Sequence, residues 1–497
     1  MTKTYNKTAC IIGAGIAGLA TAIRLSQLGY KVTVFEANAY PGGKLTEFEQ
    51  DGYRFDAGPS LFTMPQYVTE LFQLSSKNPD DYFKHKRLPV ICSYFYEDGT
   101  ELTAYADHNK LVKEFEDKLG EDPESIRKFI AKSKEMYDLT KNVFLKKSLH
   151  KLSTYLNIGT LKSFLQLYKL DINKTMDEVN TSYFKNPKTV QLFNRYATYN
   201  GSDPYQAPAT LNIIPHLEYG YGAFLPKGGM HSITKAIFRL AKDVGVTFHF
   251  SSPVSQIMVE KKTVKGIKVA GKVHRYDLVV SNMDMVNTYK KLLPNNPHPN
   301  RLLNQPKSSS ALIFYWGIKK QFEQMDVHNI FFSEEYQQEF ETIFKSKDIF
   351  DDPTVYVNIT SKVEKKDAPE GCENWFVMIN VPNDQGQDWQ AFIEKARKSI
   401  LAKLSRILGE DVAVLIETEA ILDPPTIEKR TSSFGGALYG NSSNNPFAAF
   451  LRHPNFSGSF KNLYFCGGSV HPGGGIPLCL LSAKIVGDLV SKRKQSS

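Results

Sequence analysis

The feature that most constrains this chain is a glycine-rich turn near its start, between an apolar strand and a helix. Residues 9–12 are a short apolar run typical of a buried parallel strand, and residues 16–28 have the apolar spacing of an α-helix. Gly13 permits the tight turn between them, Gly15 lets backbone amides approach a pyrophosphate, and Gly18 lets helix and strand pack closely. The pattern predicts a phosphate site at the positive N-terminal end of this helix.

The next strand ends at an acidic residue, which completes a βαβ unit. Residues 31–35 form the second apolar strand, and Glu36 follows directly. A carboxylate at this spacing accepts hydrogen bonds from the ribose hydroxyls of an adenosine and repels a 2′-phosphate. Strand, helix, second strand and acid together predict a site for NAD or FAD rather than NADP.

The composition is that of a large folded enzyme. The chain has 497 residues, 41% hydrophobic and 12% aromatic, which suits two or three domains and excludes a disordered or fibrous protein. Its five cysteines are scattered without a CxxC pair, so we expect reduced thiols and no metal site. Residues 1–8 are polar and no run approaches the roughly 20 apolar residues of a membrane span, so we expect a cytoplasmic protein without a signal peptide.

The net charge of +9 is unevenly distributed, and residues 141–170 carry six lysines and no acidic residue. Residues 161, 164, 165 and 168 are apolar or aromatic at helical spacing. Two interpretations stay open: an amphipathic helix with a solvated lysine face, or a membrane contact in which each lysine near anionic headgroups contributes about 1 kcal/mol. The second would make the protein peripheral on the inner face of the membrane. Nucleic acid is not expected as a partner, because no binding module accompanies the charge.

Further motifs resemble a known family. Residues 42–44 (GGK) follow the ribose acid at the spacing of an extended flavin fingerprint, and residues 462–477 (NLYFCGGSVHPGGGIP) look like a carboxy-terminal flavin motif. Between them lie DAGPSLFTMP, YATYNGSDP, PKGGM and VVSNMD. Through these motifs nearly the whole chain resembles the bacterial carotenoid desaturases, within the flavin amine oxidase superfamily. The resemblance implies noncovalent FAD rather than NAD.

The motifs and the resemblance together predict the residues that hold FAD. Ser469 stands where many flavoproteins carry Asp, which agrees with the desaturase version of the motif. A hydroxyl and backbone amides are then left for the ribityl and phosphate contacts. The predicted cofactor contacts are Gly13, Gly15, Ile16, Ala17, Gly18, Glu36, Ala37, Gly42, Gly43, Lys44, Gly58, Pro59, Ser60, Leu61, Val254, Asn282, Gly468, Ser469, Gly473, Gly474 and Ile476.

The predicted fold is α/β, with a Rossmann-type FAD-binding domain of the glutathione-reductase kind and an inserted α+β substrate domain. We assign residues 1–85, 224–285 and 425–497 to the FAD-binding domain, which is therefore discontinuous. Residues 86–223 and 286–424 form the substrate domain. Within it, residues 107–190 are expected to be mainly helical and to include the membrane-contacting part.

The resemblance implies oxidation of a long isoprenoid hydrocarbon, with hydride loss from an allylic carbon followed by loss of a neighbouring proton. Such an enzyme must orient the polyene, exclude water and stabilise a diffuse cation. Ring faces suited to lining its tunnel are supplied by Tyr199, Tyr219, Tyr221 and Phe224. Ionisable residues among apolar neighbours, and one near the flavin by motif position, make Glu218, His216 and His471 the candidate proton acceptors.

Several activities remain open at this stage. We favour a hydroxycarotenoid 3,4-desaturase, because the polar aromatics and residues 200–203 (NGSD) can receive a substrate hydroxyl. Phytoene desaturase is the alternative within the family. Outside it stand a flavin amine oxidase and a non-redox carotenoid isomerase. The sequence leaves open the bond oxidised, the number of desaturations, the electron acceptor (oxygen or a quinone) and the oligomeric state.

Overall fold

The computed structural model describes residues 7–151, 154, 166–445 and 452–495. Strands and helices alternate at first, then helices dominate, and strands return. The strands are β1 (Lys7–Ile12), β2 (Tyr30–Phe35), β3 (Glu47–Gln50), β4 (Tyr53–Asp56), β5 (His85–Arg87), β6 (Val90–Phe95), β7 (Glu101–Tyr105), β8 (Phe224–Pro226), β9 (Thr247–His249), β10 (Val254–Glu260), β11 (Thr263–Val269), β12 (Lys272–Arg275), β13 (Leu278–Ser281), β14 (Ser310–Ile318), β15 (His328–Phe331), β16 (Val355–Ile359), β17 (Glu373–Val381), β18 (Ile416–Leu422) and β19 (Leu463–Phe465).

The α-helices of the described residues run from the glycine turn to the carboxyl end. They are α1 (Ile16–Gln27), α2 (Gln66–Leu74), α3 (His108–Leu119), α4 (Pro123–Thr140), α5 (Met176–Tyr183), α6 (Pro187–Asn194), α7 (Pro215–Tyr219), α8 (His231–Asp243), α9 (Met285–Asn287), α10 (Asn300–Leu303), α11 (Tyr336–Glu341), α12 (Trp389–Leu408), α13 (Pro424–Thr431) and α14 (Ile476–Gln495). None of these helices is long and apolar enough to cross a membrane.

A five-stranded parallel sheet, in the order β19-β13-β1-β2-β9, carries the glycine turn. Its strands come from three separate stretches of the chain. Helices α1, α8 and α14 pack together against it, with the apolar faces of α1 almost entirely buried. The predicted fold class is confirmed: this is a Rossmann-type parallel sheet assembled from discontinuous segments.

A second, seven-stranded sheet has the strand order β18-β14-β17-β16-β15-β6-β7. Its centre is the long antiparallel pair β14 and β17, in register from Ser310 opposite Val381 to Ile318 opposite Glu373. Alternate residues of β14 enter two different cores, which explains why this strand is apolar throughout rather than alternating. All its strands lie within residues 86–223 and 286–424, but the exact domain boundaries remain a prediction.

The region predicted to be helical contains α3 to α6. Asp107 and Asp122 cap the first two of these helices by accepting backbone N–H groups, and Gly120 ends α3 in a left-handed conformation. Of the amphipathic pattern predicted within residues 161–168, residues 161, 164 and 165 and the side chain of Tyr168 lie outside the described part of the structure. That prediction is therefore not addressed by the fold.

Candidate functional site

A cavity of about 840 Å³ runs from the glycine turn to the inner face of the seven-stranded sheet. Nearly all predicted cofactor contacts lie on its wall, together with apolar residues of the second sheet. The wall includes Gly13, Gly15, Ile16, Ala17, Glu36, Ala37, Gly42, Gly43, Lys44, Gly58, Pro59, Ser60, Leu61, Val254, Asn282, Gly468, Ser469, Gly474 and Ile476. Two predicted contacts, Gly18 and Gly473, do not lie on it.

The glycine turn is closed by tight backbone contacts. Gly13 has a φ of +96°, and its N–H donates to Phe35 O at 2.8 Å. A Cβ added to Gly15 would lie 2.6 Å from Asn282 Oδ1. A Cβ on Gly18 would lie 2.2 Å from Gly13 O, so this glycine faces the strand and not the cavity. The first amides of α1, which have no partner within the helix, are thereby left open to an anion.

Glu36 is held at the cavity wall by two backbone amides. Its side chain is buried, with Oε2 accepting from Ala14 N–H at 2.6 Å and Oε1 from Asn38 N–H at 2.9 Å. Each carboxylate oxygen accepts more than one hydrogen bond. The geometry therefore leaves capacity for the ribose hydroxyls predicted from the sequence.

The second glycine pair packs directly on the first turn. Gly42 N–H donates to Ala14 O at 2.9 Å, and a Cβ on Gly43 would lie 3.4 Å from Gly15 Cα. Lys44 donates from Nζ to the backbone oxygen of Leu438 at 2.8 Å, and burial lowers the pKa of this ammonium. Lys44 thus fastens the loop after α13 to the cofactor side of the cavity.

The carboxy-terminal motif brings a second helix N-terminus to the cavity. Helix α14 begins at Ile476. Ser469 Oγ accepts from Met285 N–H at 3.0 Å, so this hydroxyl also orders the start of α9. Gly473 lies behind the wall, where an added Cβ would approach Arg452 Nε at 3.4 Å.

Arg452 is a buried cation on the cavity wall that sequence reasoning missed. It is 1% exposed and donates to Tyr439 O at 2.6 Å and to Asn200 Oδ1 at 2.7 Å, with longer contacts to the backbone oxygens of Asn441 and Gly468. Burial lowers the pKa of its guanidinium to about 10. Among the described residues no carboxylate pairs with it. Three of its acceptors are backbone oxygens and the fourth, Asn200, is 252 residues away in sequence, so no local motif signals its role.

Glu218 lies on the cavity wall, and three neighbouring side chains donate hydrogen bonds to its carboxylate. Its side chain is 2% exposed and accepts from Tyr196 at 2.6 Å, from Tyr199, and from Arg195 Nη2 at 3.3 Å. The Arg195 guanidinium also lies 4.3 Å from the centre of the Tyr196 ring. The carboxylate oxygens are therefore occupied by three donors from neighbouring side chains. This arrangement suits a fixed anchor better than a proton acceptor.

His471 has the features of a proton acceptor instead. Its side chain is 2% exposed, and its Nε2 lies 2.9 Å from Lys147 O. Because a carbonyl oxygen only accepts, Nε2 carries the hydrogen and Nδ1 keeps its lone pair. Burial lowers the pKa of His471 to about 4, so the ring is neutral at neutral pH. Its Nδ1 has no hydrogen-bond partner among the described residues.

Four other predicted site residues do not line the cavity. His216 packs against the rings of Tyr137 and Tyr221, while Tyr219 packs in the core beside Phe193. Phe224, on β8, packs on Phe62 and His85. Of the predicted aromatic lining only Tyr199 is on the wall; the residues placed elsewhere are His216, Tyr219, Tyr221 and Phe224.

The wall fits FAD at the end near the parallel sheet. The glycines at the start of α1 leave its first backbone amides accessible to a pyrophosphate. Glu36 lies where the ribose is expected, and the N-terminus of α14 also lies on the cavity wall. A cavity that continues beyond this site between apolar strands leaves room for a second molecule. These features define a dinucleotide-binding protein with an attached substrate chamber.

Comparison with known proteins agrees. Residues 16–490 match the model of the flavin containing amine oxidoreductases. The chain is 53% identical to the 1-hydroxycarotenoid 3,4-desaturase of Flavobacterium sp. (strain P99-3), over 97% of this chain and 99% of the relative. It is 33% identical to the 4,4′-diaponeurosporene oxygenase of Staphylococcus aureus (strain MSSA476), over 97% and 98% respectively.

Solved structures show the same fold at low identity. Putrescine oxidase bound to putrescine has a TM-score of 0.64 at 14% identity, covering 99% of both chains. An oxidoreductase from Methanosarcina mazei has a TM-score of 0.64 at 15% identity, covering 97% of this chain and all of that one.

This chain belongs to the flavin containing amine oxidoreductase family. The resemblance to carotenoid desaturases seen in its motifs is confirmed, and the protein is an oxidoreductase whose cofactor is FAD.

Proposed function

We propose that this protein is an FAD-dependent desaturase that forms the 3,4 double bond of a 1-hydroxycarotenoid. The observation that carries the proposal is the 53% identity to a 1-hydroxycarotenoid 3,4-desaturase along essentially the whole of both chains. Phytoene desaturation is the nearest alternative. It differs in which bond of the polyene is brought to the flavin.

The cavity supports a polyene as the second molecule. Beyond the flavin site its wall is formed by aliphatic side chains from the helical region and from the seven-stranded sheet, among them Ile91, Leu211, Ile214, Leu217, Ile313 and Ile330. An apolar chamber of this kind removes a hydrocarbon from water and holds it in one orientation. Aromatic residues on the wall, including Tyr199, offer ring faces to a delocalised cation.

When bound, FAD supplies the acceptor for the hydride removed from the polyene. The chain's own residues orient the hydrocarbon, exclude water and take the proton that remains to be lost. We assign that proton to His471 Nδ1, which is neutral, buried and without a partner among the described residues. Glu218 and Arg195 instead fix the wall on which Tyr199 lies.

The decisive test is anaerobic incubation of the purified protein with extracted carotenoids. We expect the flavin absorption to bleach without added nicotinamide and the polyene absorption to shift to longer wavelength as one double bond is added. Bleaching by soluble amines, with carotenoids inert, would show an amine oxidase instead. A product of unchanged mass would show an isomerase.

We further propose that the lysine-rich surface near the cavity docks the protein on an anionic membrane, which would place it peripherally on the inner face. Lys147 and Lys151 are exposed and Lys146 is partly exposed, and Lys151 Nζ lies 4.2 Å from the centre of the Phe456 ring. His471, on the cavity wall, bonds to the backbone oxygen of Lys147. A membrane bound here would deliver a water-insoluble substrate close to the chamber.

Replacing Lys146, Lys147 and Lys151 with Glu should weaken binding to anionic liposomes while FAD content stays unchanged. Each lysine near the headgroups contributes about 1 kcal/mol, and salt should weaken binding of the unmodified protein in the same way. Sedimentation with liposomes measures the effect. The matched control replaces the exposed Lys272, Lys366 and Lys398, which gives the same charge change elsewhere. Equal loss in both variants, or no binding by the unmodified protein, would refute a specific docking surface.

A further inference from the structure

Three side chains on the cavity wall carry a buried polar atom without a hydrogen-bond partner among the described residues. They are His471 Nδ1, Thr210 Oγ1 and His328 Nε2. His471 belongs to the carboxy-terminal motif and has a role in the proposed reaction. His328 begins strand β15, belongs to none of the recognised motifs, and is 3% exposed. An unpaired buried polar atom is costly, so such an atom on a residue that lines a ligand-binding cavity is a candidate to pair with a group of the ligand.

The hydrogen bonds around His328 define what its free nitrogen offers. Asn358 Nδ2 donates to His328 Nδ1 at 3.2 Å and to Val327 O at 2.8 Å. An amide nitrogen only donates, so Nδ1 holds the lone pair of the ring and Nε2 carries the hydrogen. Burial, with the nearby Arg195 charge, lowers the pKa of His328 to about 3, which keeps the ring neutral. His328 thus presents one N–H donor that lacks an acceptor.

A short polar chain connects this donor to the flavin side of the cavity. His328 Nδ1 lies 2.7 Å from Tyr356 Oη, and Tyr356 Oη lies 2.8 Å from Ser60 Oγ. Ser60 belongs to the loop predicted to contact FAD. Thr210, in contrast, lies in a short helical turn over residues 209–213 and no hydrogen bond joins it to that loop. Of Thr210 and His328, it is therefore His328 that is linked by hydrogen bonds to the loop predicted to contact FAD.

The proposed substrate carries a hydrogen-bond acceptor, its hydroxyl group, close to the bond that is oxidised. In a 1-hydroxycarotenoid only carbon 2 separates the hydroxyl-bearing carbon from the bond that becomes the 3,4 double bond. When that bond lies against the flavin, the hydroxyl must lie beside it. We infer that His328 Nε2–H donates to the terminal hydroxyl of the carotenoid, which makes His328 a specificity-determining residue. This inference rests on the proposed function, and it adds a residue and a contact that select the hydroxylated end.

The test compares a 1-hydroxycarotenoid with the same carotenoid lacking the hydroxyl. In the unmodified enzyme, the flavin absorption should be lost faster with the hydroxylated carotenoid than with the other. His328→Leu replaces the imidazole with an apolar side chain. It should lower the ratio of kcat/KM for the hydroxylated carotenoid to kcat/KM for the other at least about tenfold, the effect of one buried hydrogen bond. His328→Gln, which keeps an N–H donor, should restore part of the ratio. Thr189→Val is the matched control, because it removes a buried hydroxyl without a hydrogen-bond partner among the described residues that is not on the cavity wall, and it should leave the ratio unchanged.

The outcomes separate this inference from the proposed function. If the unmodified enzyme converts neither carotenoid, the proposed function fails. If it converts the hydroxylated compound and His328→Leu keeps the full ratio, or Thr189→Val loses it, the assignment of His328 is wrong. FAD content and thermal unfolding verify that each variant is folded. Titration of the unmodified oxidised enzyme gives a second measurement: equal affinity for the two carotenoids would also overturn the inference.

Discussion

Gly15→Val should yield a folded protein without FAD. Gly15 has a φ of −66°, a conformation open to any residue, so the substitution does not strain the backbone. The added Cβ would instead lie 2.6 Å from Asn282 Oδ1, and the rest of the side chain would fill the surface where backbone amides meet the pyrophosphate. Absorption of the purified protein and the flavin released on denaturation measure the loss.

The control for Gly15→Val is Gly458→Val. Gly458 is exposed, has no left-handed φ, and an added Cβ would meet nothing within 4 Å. It should keep its FAD. Glu36→Ala is the graded comparison, with FAD binding weakened by about 1–3 kcal/mol because one charge-assisted hydrogen-bonding group is lost. Normal FAD content in Gly15→Val, with circular dichroism unchanged, would contradict the placement of the pyrophosphate.

The sequence was most informative where structure is fixed by neighbours along the chain. The turn between β1 and α1 depends on glycines within a few residues of each other, and the helix begins at Ile16 as the apolar spacing predicts. The long strands β14 and β17 were predictable for the same reason, since a continuous apolar run bounded by turns indicates a strand buried on both faces.

The substrate end of the cavity was much less predictable, because it depends on which way each side chain points. Glu218 and Tyr219 are adjacent on α7, yet consecutive helical residues point about 100° apart, so one lies on the wall and the other in the core. Arg452 and His328 have partners far away in sequence, and only the folded chain brings those partners together.

His471→Gln should slow anaerobic flavin bleaching by a carotenoid by about 10²–10⁴-fold, the usual contribution of a positioned acid–base group. The glutamine side chain keeps an N–H donor for Lys147 O but removes the lone pair of Nδ1, the ring nitrogen without a partner among the described residues. FAD content and carotenoid affinity should change little, so the loss falls on the rate of bleaching. Stopped-flow absorption under saturating carotenoid measures that rate.

Glu218→Gln distinguishes a proton acceptor from an anchor. It keeps the shape of the side chain but removes the charge that pairs with Arg195, which leaves a buried guanidinium unpaired and should cost about 3–5 kcal/mol of folding stability. The flavin of the folded Glu218→Gln protein should nevertheless be bleached far faster than that of His471→Gln. If Glu218→Gln slowed bleaching by about 10²–10⁴-fold while His471→Gln bleached at the normal rate, Glu218 would be the proton acceptor instead.

The pH profile gives an independent check on His471. A base must be deprotonated to act, and burial lowers the pKa of His471 to about 4. The bleaching rate of the unmodified enzyme should therefore stay constant as the pH falls from neutrality and decline only near that pKa. A decline at the ordinary histidine pKa, about 6.5, would indicate a more exposed imidazole as the proton acceptor. A rate independent of pH in both the unmodified enzyme and His471→Gln, with equal speeds, would mean that the cation loses its proton without help from a side chain.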